Sequence, residues 1–213
     1  MSNWQQWHTD YDDPSTSLSR RLEVVRRYLA EALTERPEPV RLISLCSGDG
    51  RDTIPMVANS KKDVDALLVE LDPALAEAAR RDSRDRRVPV LVRTADAGLA
   101  TSFSDHAPAS IFMLCGIFGN ISDVDIDHTI GALPAYLEPG ALVIWTRGDH
   151  ETDGKTAALS ASERVRRTFA DHGYEEIDFT RPDDAIYRVG MHRWPGGAAP
   201  AQPTPERLFR FLW

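Results

Sequence analysis

Cysteine and lysine are the scarcest chemistry in this chain. Its 213 residues hold two cysteines, Cys46 and Cys115, and three lysines against 22 arginines. Two cysteines do not make a disulfide framework, and their separation is not that of a metal site. Long apolar runs are also missing: nothing approaches the ~18 residues of a membrane span. The opening stretch Met1-Ser2-Asn3-Trp4-Gln5-Gln6-Trp7-His8 is polar and aromatic, unlike a signal peptide. These absences read as a cytoplasmic protein in a reducing compartment, with no membrane partner. Positive charge is in deficit as well. Lys+Arg 25 against Asp+Glu 33 leaves −8, which argues against nucleic acid, since phosphate binding needs a basic surface. The arginine-for-lysine skew reads as the composition bias of a GC-rich genome. There is no catalytic serine elbow and no phosphate-binding lysine loop. Asp123-Val124-Asp125-Ile126-Asp127 looks like the start of a calcium loop. It lacks the required glycine, and Pro134 stands where the bidentate acid belongs, so no metal is expected.

What is present is alternation. Leu18, Leu22, Val25, Leu29 and Ala32 recur at helical spacing, which predicts a helix over Ser17 to Leu33. Val40 to Leu45 reads as a buried strand, Thr53 to Asn59 as a short helix, and Ala66 to Glu70 as a second strand. Asp72-Pro73 is an N-cap followed by proline at the first helical position, opening a helix over Ala74 to Arg84. Strands follow at Val88 to Val92, Ser110 to Leu114 and Ala141 to Trp145, with a helix from Val124 to Leu137 before the last. After a helix from Ser160 to His172, residues 174–180 and 185–193 read as two more strands, and Arg207 to Trp213 as a last short one. The expected fold is α/β: a Rossmann-like, doubly wound, seven-stranded sheet, mostly parallel, with an antiparallel edge hairpin. Ligands of such sheets bind beyond the carboxyl ends of the strands.

Three such ends carry suggestive chemistry. Gly48 and Gly50 follow the first strand and permit a sharp turn and close backbone approach to a ligand. Glu70 ends the second strand, where a carboxylate can accept from vicinal ribose hydroxyls. Asp96, after the third, can accept from an exocyclic adenine amine. Each has a plain alternative: a ligand-free turn, an exposed strand-end acid and an ordinary loop aspartate.

Together these stations resemble the class I S-adenosylmethionine-dependent methyltransferases, over residues 40 to 150. Leu68-Val69-Glu70-Leu71-Asp72-Pro73 matches that family's second motif, and Leu137-Glu138-Pro139-Gly140 resembles its turn before the fifth strand. Two positions depart: Ser44 stands where an acid is expected, and Cys46 where the first glycine is. More narrowly, Tyr11–Pro14, Ser19–Leu22, Cys46–Asp52 and Leu114–Asn120 resemble a mostly actinobacterial group of methyltransferase-like proteins. The resemblance implies S-adenosylmethionine as cofactor, held by Cys46, Ser47, Gly48, Asp49, Gly50, Glu70, Leu71, Asp96, Ala97, Cys115 and Gly116. It divides the chain into an N-terminal cap segment and helix (residues 1–36) and a methyltransferase-like domain (residues 37–213).

The implied activity is methyl transfer to a small-molecule or carrier-bound acceptor in bacterial secondary metabolism. His8, Tyr11, Asp13, Arg147 and His150 are the catalytic candidates, with Asp149 a further base candidate. The aromatic start, with Trp4, Trp7, His8 and Tyr11, reads equally as a lid or as surface packing. Cys46 and Cys115 read as small buried hydrophobes ahead of reactive thiols. Two other functions stay open. One is a non-methylating enzyme on this scaffold, such as an intramolecular displacement or cyclisation in natural-product biosynthesis, with Arg51 or Arg147 stabilising an anionic leaving group. The other is a non-catalytic partner subunit, in a homo- or hetero-oligomer.

Overall fold

The computed structural model describes Tyr11, Asp13 and residues 15–149, 159–197 and 205–212. Seven strands form one sheet: β1 (Val40–Leu45), β2 (Val64–Glu70), β3 (Val90–Thr94), β4 (Ala109–Leu114), β5 (Leu137–Gly148), β6 (Glu175–Thr180) and β7 (Tyr187–Arg193). Their order is β3-β2-β1-β4-β5-β7-β6. The pairs from β3 through β5 are parallel, and β7 runs antiparallel to both β5 and β6. This is the expected α/β architecture, with its antiparallel edge.

Both faces of the sheet are covered, which is why the central strands read as near-continuous apolar runs. Ile43, Leu45, Val69, Phe112, Leu114 and Trp145 face one core, with α4 (Asp123–Ala132) and α5 (Ala161–Asp171). Leu42, Leu68, Ile111, Met113 and Ile144 face the other, with α1 (Ser17–Glu35), α2 (Ile54–Asn59) and α3 (Pro73–Arg86). Successive residues of a strand point to opposite faces, so each strand feeds both cores. Among the described residues no helix is long and apolar enough to cross a membrane.

Several boundaries differ from the periodicity reading; the fifth strand, expected over Ala141 to Trp145, runs from Leu137 to Gly148. The third strand begins at Val90, because α3 ends on Arg87 in the left-handed region (φ 58°) and the Ser83 hydroxyl and carbonyl hold Val88 in that turn. The helix expected to reach Leu137 stops at Ala132. A 3-10 turn over Leu133–Tyr136 carries Pro134, which cannot donate to an α-helical ladder, and Leu137 already pairs with Ala109 of β4. The strand expected after Arg207 is two isolated bridges, Leu99 to Arg207 and Ile121 to Phe211, so that segment spans two loops instead of joining the sheet.

The packing of β5 on β7 is tight enough to exclude a methyl group. Trp145 pairs with Gly190, and a β-carbon on Gly190 would lie 2.4 Å from the indole. The indole N–H donates to His192 Nδ1 (3.0 Å), and the imidazole stacks on Phe169 at 4.4 Å. Burial lowers the His192 pKa to about 4; the Glu176 carboxylate opposes that shift and Arg166 adds to it. The unfolded chain therefore binds this proton better than the folded one. Stability is full above the ordinary imidazole value and falls as pH drops towards about 4, by about 3 kcal/mol in all. Urea unfolding across that range is expected to show the slope. His192→Gln, which keeps an acceptor for the indole, is expected to flatten it. Gly190→Ala is expected to cost about 1–3 kcal/mol at neutral pH through overpacking, read from the same unfolding curves.

Candidate functional site

The strand order reverses between β1 and β4, and beyond their carboxyl ends lies a cavity of about 380 Å³. The loop after β1 forms its floor. Cys46, Gly48 and Gly50 all have positive φ (55°, 58° and 75°), so the loop turns through left-handed conformations that glycine adopts without cost. Cys46 adopts one with a β-carbon, where a non-glycine residue costs about 1–2 kcal/mol. Gly50 serves packing: a β-carbon there would lie 2.5 Å from Ile54, against which the loop closes. It does not line the cavity. The other ten sequence-predicted cofactor residues do: Cys46, Ser47, Gly48, Asp49, Glu70, Leu71, Asp96, Ala97, Cys115 and Gly116.

Glu70 ties this floor to the next strand. Its Oε2 accepts from the Gly48 N–H (2.8 Å) and its Oε1 from the Asp72 N–H (2.9 Å). Asp72 in turn caps α3, accepting from Ala74 N–H and Leu75 N–H, as the Asp-Pro pair predicts. Asp96 accepts from the Gly98 N–H (2.8 Å) and from the Arg207 guanidinium (2.9 Å). Gly116 is fixed through its N–H to the Thr146 hydroxyl (2.8 Å).

Helix α1 closes the opposite side with Arg21, Leu22 and Val25. Arg21 donates to the Tyr11 hydroxyl, and the Tyr11 ring lies 4.6 Å from the Arg51 guanidinium carbon. Arg51 is clamped by Asp49 (2.6 Å), and its carbonyl accepts from Arg26 of α1 (2.6 Å). Burial raises the Tyr11 phenol pKa, with Arg21 and Arg51 opposing. The cavity also meets Asp52, whose Oδ1 accepts from the Thr53 hydroxyl (2.9 Å). Burial pushes this carboxyl above the usual aspartate range, and Asp49 adds to the shift. Both thiols titrate high: burial raises Cys46, helped by Glu70 and Asp96, and burial raises Cys115, helped by Asp52. They line the site as inert groups.

The catalytic candidates divide. Tyr11 lines the cavity. Asp13 does not: it is exposed, and its carboxylate accepts from the Ser15 N–H and hydroxyl. Helix α1 is capped by Thr16. Arg147 is absent from the cavity wall because β5 continues alongside antiparallel β7, pairing Arg147 with Arg188. Asp149 is committed elsewhere, accepting from Ser162 (2.6 Å) and Arg188 (3.1 Å). Burial works against its charge, but those donors outweigh burial and hold its carboxyl below the usual range. His8 and His150 lie outside the described residues.

Arg21, Asp52, Leu75 and Phe211 also line the cavity and were not singled out by sequence reasoning. The signal for Asp52 lay in the Gly-Arg-Asp-Thr run that enters α2. Phe211 had none, since the largely apolar run Leu208-Phe209-Arg210-Phe211-Leu212-Trp213 reads as a strand and not as part of a site.

No family model matches the chain, and no curated protein matches its sequence. Solved structures match its fold. Magnesium protoporphyrin IX methyltransferase from Synechocystis PCC 6803, with bound S-adenosylmethionine, is 12% identical with a TM-score of 0.66, covering 90% of this chain and 91% of that one. An S-adenosylmethionine-dependent methyltransferase from Clostridium acetobutylicum ATCC 824 is 9% identical with a TM-score of 0.64, covering 91% and 99%. The (4+2)-cyclase SpnF is 14% identical with a TM-score of 0.60, covering 80% and 81%. The chain therefore has the Rossmann-like fold of S-adenosylmethionine-dependent methyltransferases, a fold that a cyclase also uses.

The Glu70 geometry generates a test of its own. Glu70→Ala leaves the Gly48 and Asp72 N–H groups without their acceptor and is expected to destabilise the fold by about 1–3 kcal/mol in urea unfolding. Glu70→Gln, which keeps one carbonyl acceptor, is expected to lose less.

Proposed function

We propose that this protein transfers a methyl group from S-adenosylmethionine to a small-molecule or carrier-bound acceptor. One juxtaposition carries the reading: the Gly48 turn, Glu70 and Asp96 meet around a single cavity at the point of strand reversal. Each Glu70 oxygen holds one backbone N–H, and a carboxylate offers about four lone-pair sites, so capacity remains for two ribose hydroxyls. Asp96 keeps capacity for an exocyclic amine by the same count. The cofactor supplies an electrophilic methyl on a sulfonium, so the protein's tasks are alignment and exclusion of water.

Within this reading Asp52 is the base. It faces the cavity from the start of α2, Thr53 fixes one oxygen, and burial raises its pKa, which makes it a better proton acceptor than an ordinary aspartate. When the acceptor arrives protonated, its proton passes to the Asp52 carboxylate as the new bond forms. Leu22, Val25 and Leu75 give the cavity an apolar lining, which favours an acceptor with a hydrocarbon body.

Ser44 favours a second reading. It is 1% exposed, its hydroxyl has no hydrogen-bond partner, and it stays out of the cavity. Among the described residues, Ser44 brings no negative charge to the position where the sequence resemblance leads one to expect it. A non-methylating ring closure on the same scaffold needs no such charge.

Calorimetry separates the two readings. The full chain is expected to bind S-adenosylhomocysteine, and Glu70→Gln to weaken it about tenfold or more. Absence of heat with both that product and S-adenosylmethionine would sink methyl transfer and leave cofactor-free cyclisation. Asp52→Asn is expected to leave that affinity unchanged. In turnover, an Asp52 base places the acid limb of the pH–rate profile above that of an ordinary aspartate.

A further inference from the structure

Residues 205–212 are remote in sequence from the strands that build the site, yet they cross its edge. On the β3 side the Leu208 N–H donates to the Gly98 carbonyl (2.8 Å), and the Ala100 N–H donates to the Glu206 carbonyl (2.9 Å). On the β4 side the Leu212 N–H donates to the Asn120 carbonyl (3.0 Å), and the Arg210 N–H to the Asp125 carboxylate (3.2 Å). Between these contacts Leu208 and Phe209 are buried in the core, and the Leu208 carbonyl accepts from the Thr129 hydroxyl (3.1 Å). Gly98 is where the crossing is closest: a β-carbon there would lie 2.4 Å from the Phe209 carbonyl. The segment is thus a strap seated on both loops that carry the β3 and β4 ends of the site. Two of its side chains reach that site. Arg207 bonds Asp96 (2.9 Å), and Phe211 lines the cavity.

We infer that this strap is the nucleoside wall of the site, with Phe211 the aromatic surface on which a purine packs and Arg207 the residue that positions Asp96 for the purine's exocyclic amine. The inference rests on the cofactor reading above and deepens it. Phe209 braces the Phe211 ring edge-on at 5.5 Å. Leu71, beside Glu70, is 64% exposed and lines the same cavity, so an apolar surface also stands at the Glu70 end, suited to a flat ligand rather than to water. Asp96 has one oxygen on Gly98 and the other on Arg207, so its plane is set before any ligand arrives. Its free lone pairs accept only from donors. A 6-aminopurine presents a donor there, and a 6-oxopurine presents a lone pair, which the carboxylate repels.

The test is titration calorimetry of the full chain with S-adenosylhomocysteine, adenosine and inosine. Phe211→Ala is expected to weaken S-adenosylhomocysteine and adenosine alike, by about tenfold or more, the scale of base–aromatic stacking. Phe211→Tyr is expected to retain both affinities. Phe211→Leu keeps apolar volume without the aromatic face and is expected to weaken both, which separates stacking from simple packing should the alanine variant unfold. Arg207→Gln is expected to reduce the preference for adenosine over inosine, a readout that a structural role alone would not move. Unchanged affinity in both Phe211→Ala and Phe211→Leu overturns the strap's role while leaving the cofactor reading standing. A full chain that binds neither adenosine nor S-adenosylhomocysteine overturns the cofactor reading itself.

Discussion

The site depends on one carboxylate that holds two backbone amides. Glu70 receives the Gly48 N–H on one oxygen and the Asp72 N–H on the other, so the end of β2 fixes both the loop after β1 and the start of α3. That acceptor fixes Gly48, while backbone bonds from Ser47 to Val69 and from Gly50 to Ser47 fix the rest of a turn with three residues at positive φ. The same carboxylate is the one the sequence offers for ribose. Structure and binding therefore share a group, and its affinity contribution cannot be separated from its role in shaping the turn by truncation alone.

Around that anchor the charges of the cavity are mostly settled within the protein. Asp49 holds Arg51, Asp96 holds Arg207, Asp72 caps a helix, and Glu70 takes two backbone amides. Asp52 differs: the side-chain hydrogen bond it accepts comes from a hydroxyl, not from an arginine. Burial raises its pKa more than the nearby Arg21 lowers it, which distinguishes Asp52 from its acidic neighbours in chemistry as well as in place. Tyr11, between Arg21 and Arg51, joins the chain ahead of α1 to the same wall.

The sheet and the glycine-loop half of the site were legible in the sequence because they arise from local rules. Branched apolar runs mark strands buried on both faces, Asp-Pro marks a helix start, and a strand-end acid after a glycine turn marks a place where chain and ligand meet. Cys46 was read as standing in a glycine position, and its φ of 55° accords with that reading. What was not legible arises from distant contacts. Arg147 and Asp149 looked like strand-end chemistry. But β7 pairs along β5 through Gly148, which leaves Arg147 off the cavity wall, and Arg188 and Ser162 engage Asp149. Asp13, read as a catalytic candidate, is the local exception: it closes a small turn with Ser15. Phe211 and Arg207 reach the site only because their segment returns across two loops far away in the chain.

The position of β7 also bears on how the molecule is made. It lies between β5 and β6, although β6 precedes it in the chain. As the polypeptide emerges from the ribosome, β6 therefore has no strand to join until β7 has been synthesised and has docked on β5. The growing sheet carries β5 as an open edge through that interval, and Trp145 waits for both Gly190 and His192, its neighbours on β7. Exposed edges and unpaired aromatic surface are where nascent chains associate wrongly. The same inserted strand that completes the fold thus sets how long the edge of β5 stays open during synthesis.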